Sequence, residues 1–313
     1  MQLIRGRHNI DATHHGCVAT IGNFDGVHLG HTEIIKRLKQ HAKIQGVPSL
    51  VIIFEPQPAE YFARGKVPAR LTRFREKFRL IAARGVDRLL VLRFDQALAS
   101  FSPQAFVESL LVAKLGIRAL IIGDDFRFGS GRGGDFTLLH DLAERHRFVL
   151  EQTPPFLFIG KRISSTYIRY LLRHGYMKEA DRMLGHPYCI EGRVVHGHKQ
   201  GRAWGFPTVN IDLHQRGAPL SGIFAVRVHG LGPIALMGVG YVGNRPIIDD
   251  PRYVLEVHIF DFDEDCYGKR ISVQFCDRIR DEMHFDSFAA MAEQIGRDCI
   301  AARERLTFEY AGA

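Results

Sequence analysis

The sequence predicts a two-domain protein of mixed class, with an α/β domain followed by a small β-barrel. The chain has 313 residues, which is more than one hydrophobic core usually serves. Its first half alternates strand-like and helix-like segments, which indicates a parallel sheet covered by helices on both faces. After about Leu184 the pattern changes to consecutive strands, which indicates an antiparallel barrel. We therefore expect domains over residues 1–184 and 185–313.

The predicted strands of the first half are short runs rich in Val, Ile and Leu. They are Cys17–Gly22, Ser49–Glu55, Asp87–Phe94 and Arg118–Gly123. Helical periodicity predicts three intervening helices, each closed by a glycine suited to a helix C-cap. These are His31–Gly46, Thr72–Arg84 and Pro103–Gly116. Ligands in such folds bind beyond the carboxyl ends of the strands, so the loops after these strands are the places to look for a site.

Six consecutive strand patterns and one long terminal helix make up the second half. The strands are Tyr188–His196, Thr208–Leu213, Gly222–His229, Ile234–Gly243, Tyr253–Phe262 and Lys269–Cys276. The helix covers about Asp286–Phe308, and the helical segment Tyr167–Leu184 is expected to link the two domains. Six strands joined by Gly, Pro and Asp turns predict a six-stranded antiparallel barrel with a terminal helix.

The composition favours an ordinary globular protein that stays in the cytoplasm. Hydrophobic residues make up 46% of the chain and charged residues 24%. No apolar run approaches the roughly 20 residues that a membrane span needs, and the first residues lack the apolar stretch of a signal peptide. The five cysteines are scattered without a CxxC pair, which fits a reducing compartment and a packing role.

A net charge of +8 suggests acidic partners such as nucleotides, nucleic acid or anionic lipid. The positive residues are spread along the chain, with no run of five or more. This distribution favours small phosphorylated ligands over a nucleic-acid-binding tail.

The segment most informative about function is residues 22–31, GNFDGVHLGH, where the first strand gives way to the first helix. A helix N-terminus offers free backbone N–H groups and the positive end of the helix dipole, so it binds phosphate readily. Gly26 and Gly30 allow close approach of the backbone. His28 and His31 can donate hydrogen bonds that stabilise charge developing at a phosphorus centre. Two solvent-exposed histidines beside a loop are the other interpretation.

The HxGH motif after a first strand resembles that of the nucleotidyltransferase superfamily. The fuller segment resembles the FMN adenylyltransferase module of bacterial bifunctional riboflavin kinase/FAD synthetases. This resemblance implies a Rossmann-like nucleotidyltransferase domain in which His28 and His31 are catalytic. It also implies that Asn23, Asp25 and Gly30 bind ATP.

Three further segments resemble the same family. They are FEPQP at residues 54–58, with Gln57 in place of the family's usual His, GDDFRFG at 123–129 and ISSTYIR at 163–169. The first two imply flavin contacts from Phe54, Pro56, Pro58, Asp125, Phe126 and Phe128. The third implies that Ser164, Ser165, Thr166 and Arg169 hold the phosphates of ATP. A Ser-Ser-Thr run is also a helix N-cap, and the two phenylalanines of the second segment fit a core equally well.

Residues 197–210, GHKQGRAWGFPTVN, form a glycine-rich loop that leads into a strand. Thr208 and Asn210 are two residues apart, so on a strand they project from the same face. Two oxygen ligands at that spacing can share one Mg²⁺, whose other ligands are water and ATP phosphate oxygens. The loop lacks the GxxxxGK[ST] pattern of a Walker loop, and by itself it is also typical of a hairpin.

This loop resembles the riboflavin kinase signature GxxxGRxLGFPTxN, with Trp204 in place of the usual Leu. The resemblance implies that Gly197, Lys199, Gly201 and Arg202 contact ATP. Residues 254–262, VLEVHIFDF, resemble the segment of the same family in which Glu256 matches the catalytic base. Composition alone favours a solvated Glu256 on the outer face of a strand. Residues 278–288 resemble the closing segment of the kinase, in which Arg280 is expected near the flavin.

Together these resemblances imply an enzyme that phosphorylates riboflavin to FMN and then adenylylates FMN to FAD. The expected ligands are riboflavin, FMN, FAD and ATP, with Mg²⁺ as the cofactor. Glu256 would accept the proton of riboflavin's 5′-hydroxyl while Mg²⁺ neutralises charge. No nucleic-acid or membrane partner is expected, and the protein is expected to be a monomer or a weak homo-oligomer.

Two alternatives explain parts of the same pattern. Another HxGH-type adenylyltransferase, or a tRNA-synthetase-like ligase, explains the first half but leaves the PTxN segment without a role. A nucleic-acid-binding protein would carry interleaved aromatic and basic residues on the barrel strands. Residues 261–265 instead contain four acidic side chains, which would repel a phosphate backbone.

Overall fold

The computed structural model describes residues 1–63, 65, 67–197, 205–213, 217–244 and 253–308. The chain divides into two compact units. The first unit comprises Met1–Val67 and Arg73–Ser164, and the second comprises Pro68–Thr72 and the chain from Ser165 onward. The two helices at residues 165–184 therefore make most of their contacts with the second unit. The change of sequence pattern instead predicts a domain boundary after these helices, at residue 184.

A six-stranded parallel sheet forms the centre of the first unit. Its strands are β1 Gln2–Arg5, β2 Cys17–Ile21, β3 Ser49–Glu55, β4 Arg88–Arg93, β5 Ile117–Gly123 and β6 Val149–Thr153. They are arranged in the order β1-β4-β3-β2-β5-β6. All of β2 is buried, because it has a strand on each side and helices on both faces of the sheet. The chain runs outward from β2 in both directions, which creates a crevice at the carboxyl ends of the strands.

Helices cover both faces of this sheet. They are α1 Leu29–Gln45, α2 Pro58–Phe62, α3 Phe74–Ala83, α4 Gln96–Ala99, α5 Pro103–Ala105, which continues with π-type turns over Phe106–Lys114, and α6 Phe136–His146. Leu38 of α1 and Ile81 of α3 belong to the core on one face. Leu110 and Leu139 belong to the core on the other face. A short hairpin, β7 Leu157–Phe158 and β8 Lys161–Arg162, follows β6.

The second unit contains a closed antiparallel barrel of six strands. They are β9 Cys189–Val195, β10 Val209–Asp212, β11 Gly222–His229, β12 Leu236–Asn244, β13 Tyr253–Ile259 and β14 Arg270–Arg280. Around the barrel the order is β10-β13-β12-β11-β14-β9. In β13, Leu255 and Val257 are buried while Glu256 and His258 are half-buried. This alternation points the apolar residues into the barrel and the polar ones outward.

Three helices complete the second unit: α7 Ser165–Arg173, α8 Met177–Leu184 and α9 Phe288–Phe308. The sequence predicts one helical segment where α7 and α8 lie. The chain breaks between them at Gly175, whose φ of 78° is left-handed and suits glycine best.

A buried ion pair ties α9 to the barrel. Asp298 of α9 is 3% exposed, and the guanidinium of Arg280 on β14 donates to both of its carboxylate oxygens, at 2.7 and 2.9 Å. Gln294 donates a further hydrogen bond to Asp298 at 2.9 Å. Because the carboxylate is shielded from water, its charge depends on these partners.

The predicted fold class is confirmed: a parallel sheet precedes a six-stranded antiparallel barrel and a terminal helix. Two strands of the structure, β3 and β11, have the bounds that the sequence predicts. The edge strands β1 and β6 and the helix α6 are not among the elements that the sequence predicts. These edge strands are partly exposed and contain only two adjacent apolar residues each, so they lack the longer apolar run that marks the central strands.

Within the described ranges, none of the helices combines the length and the apolar character needed to cross a membrane.

Replacing Asp298 by Ala should lower the free energy of unfolding of the second unit by about 3 kcal/mol, because Arg280 then keeps a half-shielded charge without its partner. Chemical denaturation, followed by a probe in this unit, measures the loss. Glu293→Ala is the matched control, since it breaks an exposed pair with Arg297 on the same helix and should cost about 0.5 kcal/mol or less. Equal losses for the two variants would contradict the anchoring role of Asp298.

Candidate active sites

Three of the sequence motifs lie at the carboxyl ends of neighbouring parallel strands. The HxGH segment follows β2, the FEPQP segment spans the end of β3 and the GDDFRFG segment spans the end of β5. Strand β2 pairs with both β3 and β5. The three loops therefore share one edge of the sheet, at the point where α/β folds bind ligands.

The turn between β2 and α1 passes through the left-handed region of backbone conformation. Residues 22–31 are called the histidine turn below. In it, φ is 47° at Phe24, 80° at Gly26 and 41° at Val27. Residues other than glycine seldom adopt such φ angles unless surrounding contacts stabilise them. Here Phe24 and Val27 are buried in the core beneath the turn.

The histidine turn brings His28 and His31 together at the start of α1. The Nδ1 atom of His28 accepts a hydrogen bond from the backbone N–H of His31 at 3.3 Å, so His28 caps the helix. The two rings stack with centroids 3.7 Å apart and planes inclined by 17°. A Cβ at Gly30 would lie 3.2 Å from the His28 ring, so glycine leaves room for this arrangement.

His31 is a neutral hydrogen-bond donor in this environment. Burial, followed by the nearby side chains of His28, Lys77 and Arg84, holds the pKa of His31 well below its ordinary value. Its Nδ1 atom is shielded from solvent and has no hydrogen-bond partner in the part of the chain that the structure describes. At neutral pH the ring is therefore uncharged and carries a single N–H group.

Two cationic side chains that the sequence analysis overlooked hold the backbone of the histidine turn. Lys77 on α3 is 0% exposed, and its Nζ donates to the carbonyl of Asn23 at 2.7 Å. Arg84, just beyond α3, donates to the carbonyl of Val27 at 3.0 Å and to the hydroxyl of Thr32 at 2.8 Å. A lysine on the buried side of an amphipathic helix is the sequence signal that points to such a role.

The residues of the turn that were expected to bind ATP differ in accessibility. Asn23 is exposed and Gly30 is half-buried, whereas Asp25 is 2% exposed. Burial, and to a smaller extent the negative charge of Asp25, raise the pKa of Glu76 on α3 to about 7. The Asp25 side chain thus lies close to α3, and its direct contact with ATP stays a prediction.

The FEPQP segment places an aromatic side chain and a buried amide near the end of β3. The ring of Phe54 packs edge-to-face on Phe94 with centroids 5.6 Å apart. Pro56 is exposed and Pro58 is half-buried. Gln57 is 7% exposed, and its Nε2 atom has no hydrogen-bond partner among the described residues. The flavin contacts expected of this segment stay predictions.

In the loop after β5, the two phenylalanines stack with centroids 5.6 Å apart. Phe128 is buried in the core of the first unit, while Phe126 is half-buried at its edge. Asp125 is exposed. Packing thus accounts for Phe128, and Phe126 and Asp125 are the accessible residues of this predicted flavin loop.

The ISSTYIR segment opens helix α7. Ser164 precedes the helix, and Ser165 and Thr166 are its first two residues. Ser164 and Ser165 are half-buried and Thr166 is exposed. Arg169, in the second turn, donates from Nε to the carbonyl of Ala69 at 2.6 Å. The N-terminal position agrees with both interpretations of this segment, capping and phosphate binding.

On the barrel, the register of two strands places Asn210 directly opposite Glu256. The strands β10 and β13 are antiparallel, and these residues are partners in the ladder. Side chains of such partners project from the same face with Cβ atoms about 5 Å apart. Both are half-buried on the outer face, and Tyr241 of β12 is the partner of Glu256 on its other side. A candidate metal ligand and the candidate base are therefore neighbours.

His258, which the sequence analysis did not single out, holds the segment that contains Thr208. Thr208 is half-buried immediately before β10. The Nδ1 atom of His258 lies 2.8 Å from the carbonyl oxygen of Pro207, and since a carbonyl only accepts, Nδ1 carries the proton. The ring of Phe206 packs edge-to-face on His258. These contacts fix the PTxN segment against β13.

Gly197 is close to the candidate metal ligand. The side chain of Asn210 fills the space in which a Cβ at Gly197 would lie. A residue other than glycine would therefore displace Asn210. The other residues expected to contact ATP in this loop, Lys199, Gly201 and Arg202, lie outside the described residues.

The guanidinium of Arg280 is engaged by the protein itself. Besides its bonds to Asp298, the guanidinium donates from Nη1 to the carbonyl of Asp281 at 2.9 Å. The ring of Phe285 lies 5.7 Å from the guanidinium carbon. The structure thus gives Arg280 an anchoring role, and its contact with flavin stays a prediction.

The residues expected to hold Mg²⁺ have suitable chemistry. Across the described ranges, His, Cys, Asp and Glu side chains form no group of three or more that is arranged to hold a metal ion. The hydroxyl of Thr208 and the amide oxygen of Asn210 are hard oxygen donors, and Asn210 is the strand partner of Glu256. Such a sparse set suits Mg²⁺, which keeps several waters and binds substrate phosphates.

Two family models match the chain, one in each part. The model described as FAD synthetase matches residues 10–167. The model described as riboflavin kinase matches residues 184–306. The first match contains the histidine turn, and the second contains the pair of Asn210 and Glu256.

Curated proteins and a solved structure resemble the chain over nearly its whole length. The bifunctional riboflavin kinase/FMN adenylyltransferase of Escherichia coli strain K12 is 47% identical, over 97% of each chain. The protein of the same name from Haemophilus influenzae is 44% identical, over 97% of this chain and 98% of that one. A crystal structure of a macrolide-efflux protein from Streptococcus pneumoniae has a TM-score of 0.81 at 30% identity, covering 95% of this chain and 97% of that one.

Proposed function

This chain belongs to the bifunctional riboflavin kinase/FMN adenylyltransferase family, and we propose that each of its parts carries one of the two reactions. The protein is an enzyme that phosphorylates riboflavin to FMN and adenylylates FMN to FAD, with ATP as the second substrate of both steps. We assign the adenylyltransferase to residues 1–184 and the kinase to residues 185–313. Neither of the alternatives raised by the sequence is favoured by the family membership.

One observation carries this assignment: the central pair of residues of each reaction is assembled on its own scaffold. The stacked pair of His28 and His31 lies at the carboxyl edge of the parallel sheet. Asn210 lies opposite Glu256 on the barrel. Because each of these two pairs is built from elements of a single fold, each has the rigid support that a catalytic centre requires.

In the adenylyltransferase reaction, a phosphate oxygen of FMN attacks the α-phosphorus of ATP and pyrophosphate leaves. His28 and His31 face the region where negative charge develops, and the neutral His31 donates its N–H to that charge. Asn23, Asp25 and Gly30, with Ser164, Ser165, Thr166 and Arg169, are the residues proposed to bind ATP. Phe54, Pro56, Pro58, Asp125 and Phe126 are those proposed to form the flavin site, with the buried Phe128 supporting Phe126 from the core.

In the kinase reaction, the 5′-hydroxyl of riboflavin attacks the γ-phosphorus of ATP and ADP leaves. Glu256 orients this hydroxyl and accepts its proton. Thr208 and Asn210 would hold Mg²⁺, which neutralises charge on the ATP phosphates when bound. Gly197, Lys199, Gly201 and Arg202 are the residues proposed to contact ATP, and Arg280 supports the flavin side of the site.

The remaining proposals concern the setting of the enzyme. We place it in the cytoplasm, since its five cysteines are unpaired. We further propose a monomer or weak homo-oligomer without a nucleic-acid partner. Incubation with riboflavin and Mg-ATP, followed by chromatography of the flavins over time, tests the function directly. Riboflavin should decline, FMN should rise first and FAD should follow.

Replacing both His28 and His31 by Ala should abolish FAD formation, because each lost donor costs about 10²-fold or more in rate. FMN should still accumulate from riboflavin at the parent rate, which serves as the internal control. The same chromatographic assay measures both products. Near-normal FAD synthesis by the double variant would contradict the role given to the histidines.

Replacing Glu256 by Gln should slow riboflavin phosphorylation sharply, since an amide keeps the size of the side chain but accepts no proton. FMN supplied directly should still become FAD. Glu264→Gln, an exposed carboxylate beyond the same strand, is the matched control and should leave the kinase unchanged. Parent-like phosphorylation by Glu256→Gln would make Glu256 an ordinary solvated residue of the barrel.

The kinase part should retain its activity when it is separated from the rest of the chain. Two fragments test this expectation. Residues 165–313 and 185–313 should both make FMN from riboflavin and ATP, without FAD. The shorter fragment should unfold at a lower temperature, because it lacks the buried face of α8 and the bond from the Tyr188 N–H to Asp181 at 2.7 Å. A folded fragment 165–313 without kinase activity would contradict the assignment.

A further inference from the structure

Lys77 is a cation buried beneath the histidine turn. It is 0% exposed, on the side of α3 that packs against the turn. Its Nζ lies 2.7 Å from the carbonyl oxygen of Asn23, a distance typical of a strong charge-assisted hydrogen bond. Burial of an ammonium group is costly unless hydrogen bonds compensate it, so the charge of Lys77 depends on partners such as this carbonyl.

The bond is made at the place where the backbone most needs support. The backbone of the next residue, Phe24, has a left-handed conformation, and so does that of Val27 three positions later. Lys77 binds the carbonyl before the first of these residues, and Arg84 binds the carbonyl of the second. The two cations therefore flank the conformation that leads directly into His28.

The charge of Lys77 also acts on the catalytic pair. It is one of the positive charges that lower the pKa of His31, together with His28 and Arg84, while burial is the largest cause. A fixed positive charge under a helix N-terminus strengthens the attraction of that end for a polyphosphate. The hydrogen bond and the charge of Lys77 therefore both act on the histidine turn.

We propose that Lys77 is a positioning residue for FMN adenylylation: its ammonium group fixes the Asn23 carbonyl and so holds the turn that presents His28 and His31 to ATP. The inference rests on the proposed function of the first unit. Lys77 acts through the turn and through its charge, and it is not a residue that touches the reacting atoms.

The test compares Lys77→Met, which removes both charge and donor, with Lys77→Gln, which keeps an N–H donor without the charge. Arg75→Met removes a positive charge from an exposed position of the same helix and is the matched control. For Lys77→Met, kcat of FAD formation from FMN should fall about 10- to 100-fold, as for a misplaced catalytic group. Lys77→Gln should recover part of this loss, and Arg75→Met should resemble the parent. Riboflavin phosphorylation should be unchanged in all three.

A second readout separates positioning from mere support of the fold. Nuclear magnetic resonance of the histidine rings should show the pKa of His31 rising toward its ordinary value in both Lys77 variants, because a neighbouring positive charge is gone. Arg75→Met should leave the titration of His31 as in the parent. A residue that only stabilised the fold would not shift this titration in a folded variant.

The outcomes distinguish this inference from the proposed function. If the parent makes no FAD from FMN, the proposed function itself is wrong. If the parent does so and a folded Lys77→Met variant keeps kcat within about twofold and leaves the titration of His31 unchanged, the positioning role is overturned. If neither Lys77 variant folds, as judged by circular dichroism and the dispersion of the spectra, Lys77 is a folding residue and the inference is equally overturned.

Discussion

The position of strand β2 at the centre of the parallel sheet determines most of the first unit. β2 has neighbours on both sides and is buried throughout, so the chain that leaves it must turn at the crevice of the sheet. A turn at that place has carbonyl groups with no strand to bind them. Lys77 and Arg84 supply the missing donors from α3 and its end. Burial, with smaller contributions from His28 and from these two charges, lowers the pKa of His31 and keeps its ring neutral.

In the barrel, the register of the strands positions the residues of the candidate site. Apolar residues of β13 fill its interior, so Glu256 is directed to the outer face, where Asn210 is its partner. The bond between His258 and the Pro207 carbonyl then holds the segment before β10 beside the same strand. In this unit the site is fixed by backbone pairing and one histidine, with no buried lysine among the residues that the structure describes.

The two sites therefore suit different chemistry. A stacked histidine pair at a helix N-terminus, with His31 held neutral, can donate hydrogen bonds to developing negative charge. A half-buried carboxylate beside oxygen ligands can accept a proton while a cation neutralises phosphate. At both sites a glycine leaves space that a side chain would fill. Gly30 makes room for the ring of His28, and Gly197 makes room for the amide of Asn210.

The sequence by itself determined the class of both parts, the central strands, the six barrel strands and the two family resemblances. Those features depend on local periodicity and on motifs within a few residues, which a single sequence displays. Only the tertiary structure revealed the edge strands β1 and β6, the break at Gly175 and the burial of Asp25 and Phe128. Only it showed that Lys77 contacts Asn23 and that Arg280 pairs with Asp298. The physical reason is that burial and the hydrogen-bond partner of a charged side chain depend on residues distant in the chain, and the local pattern carries no record of them.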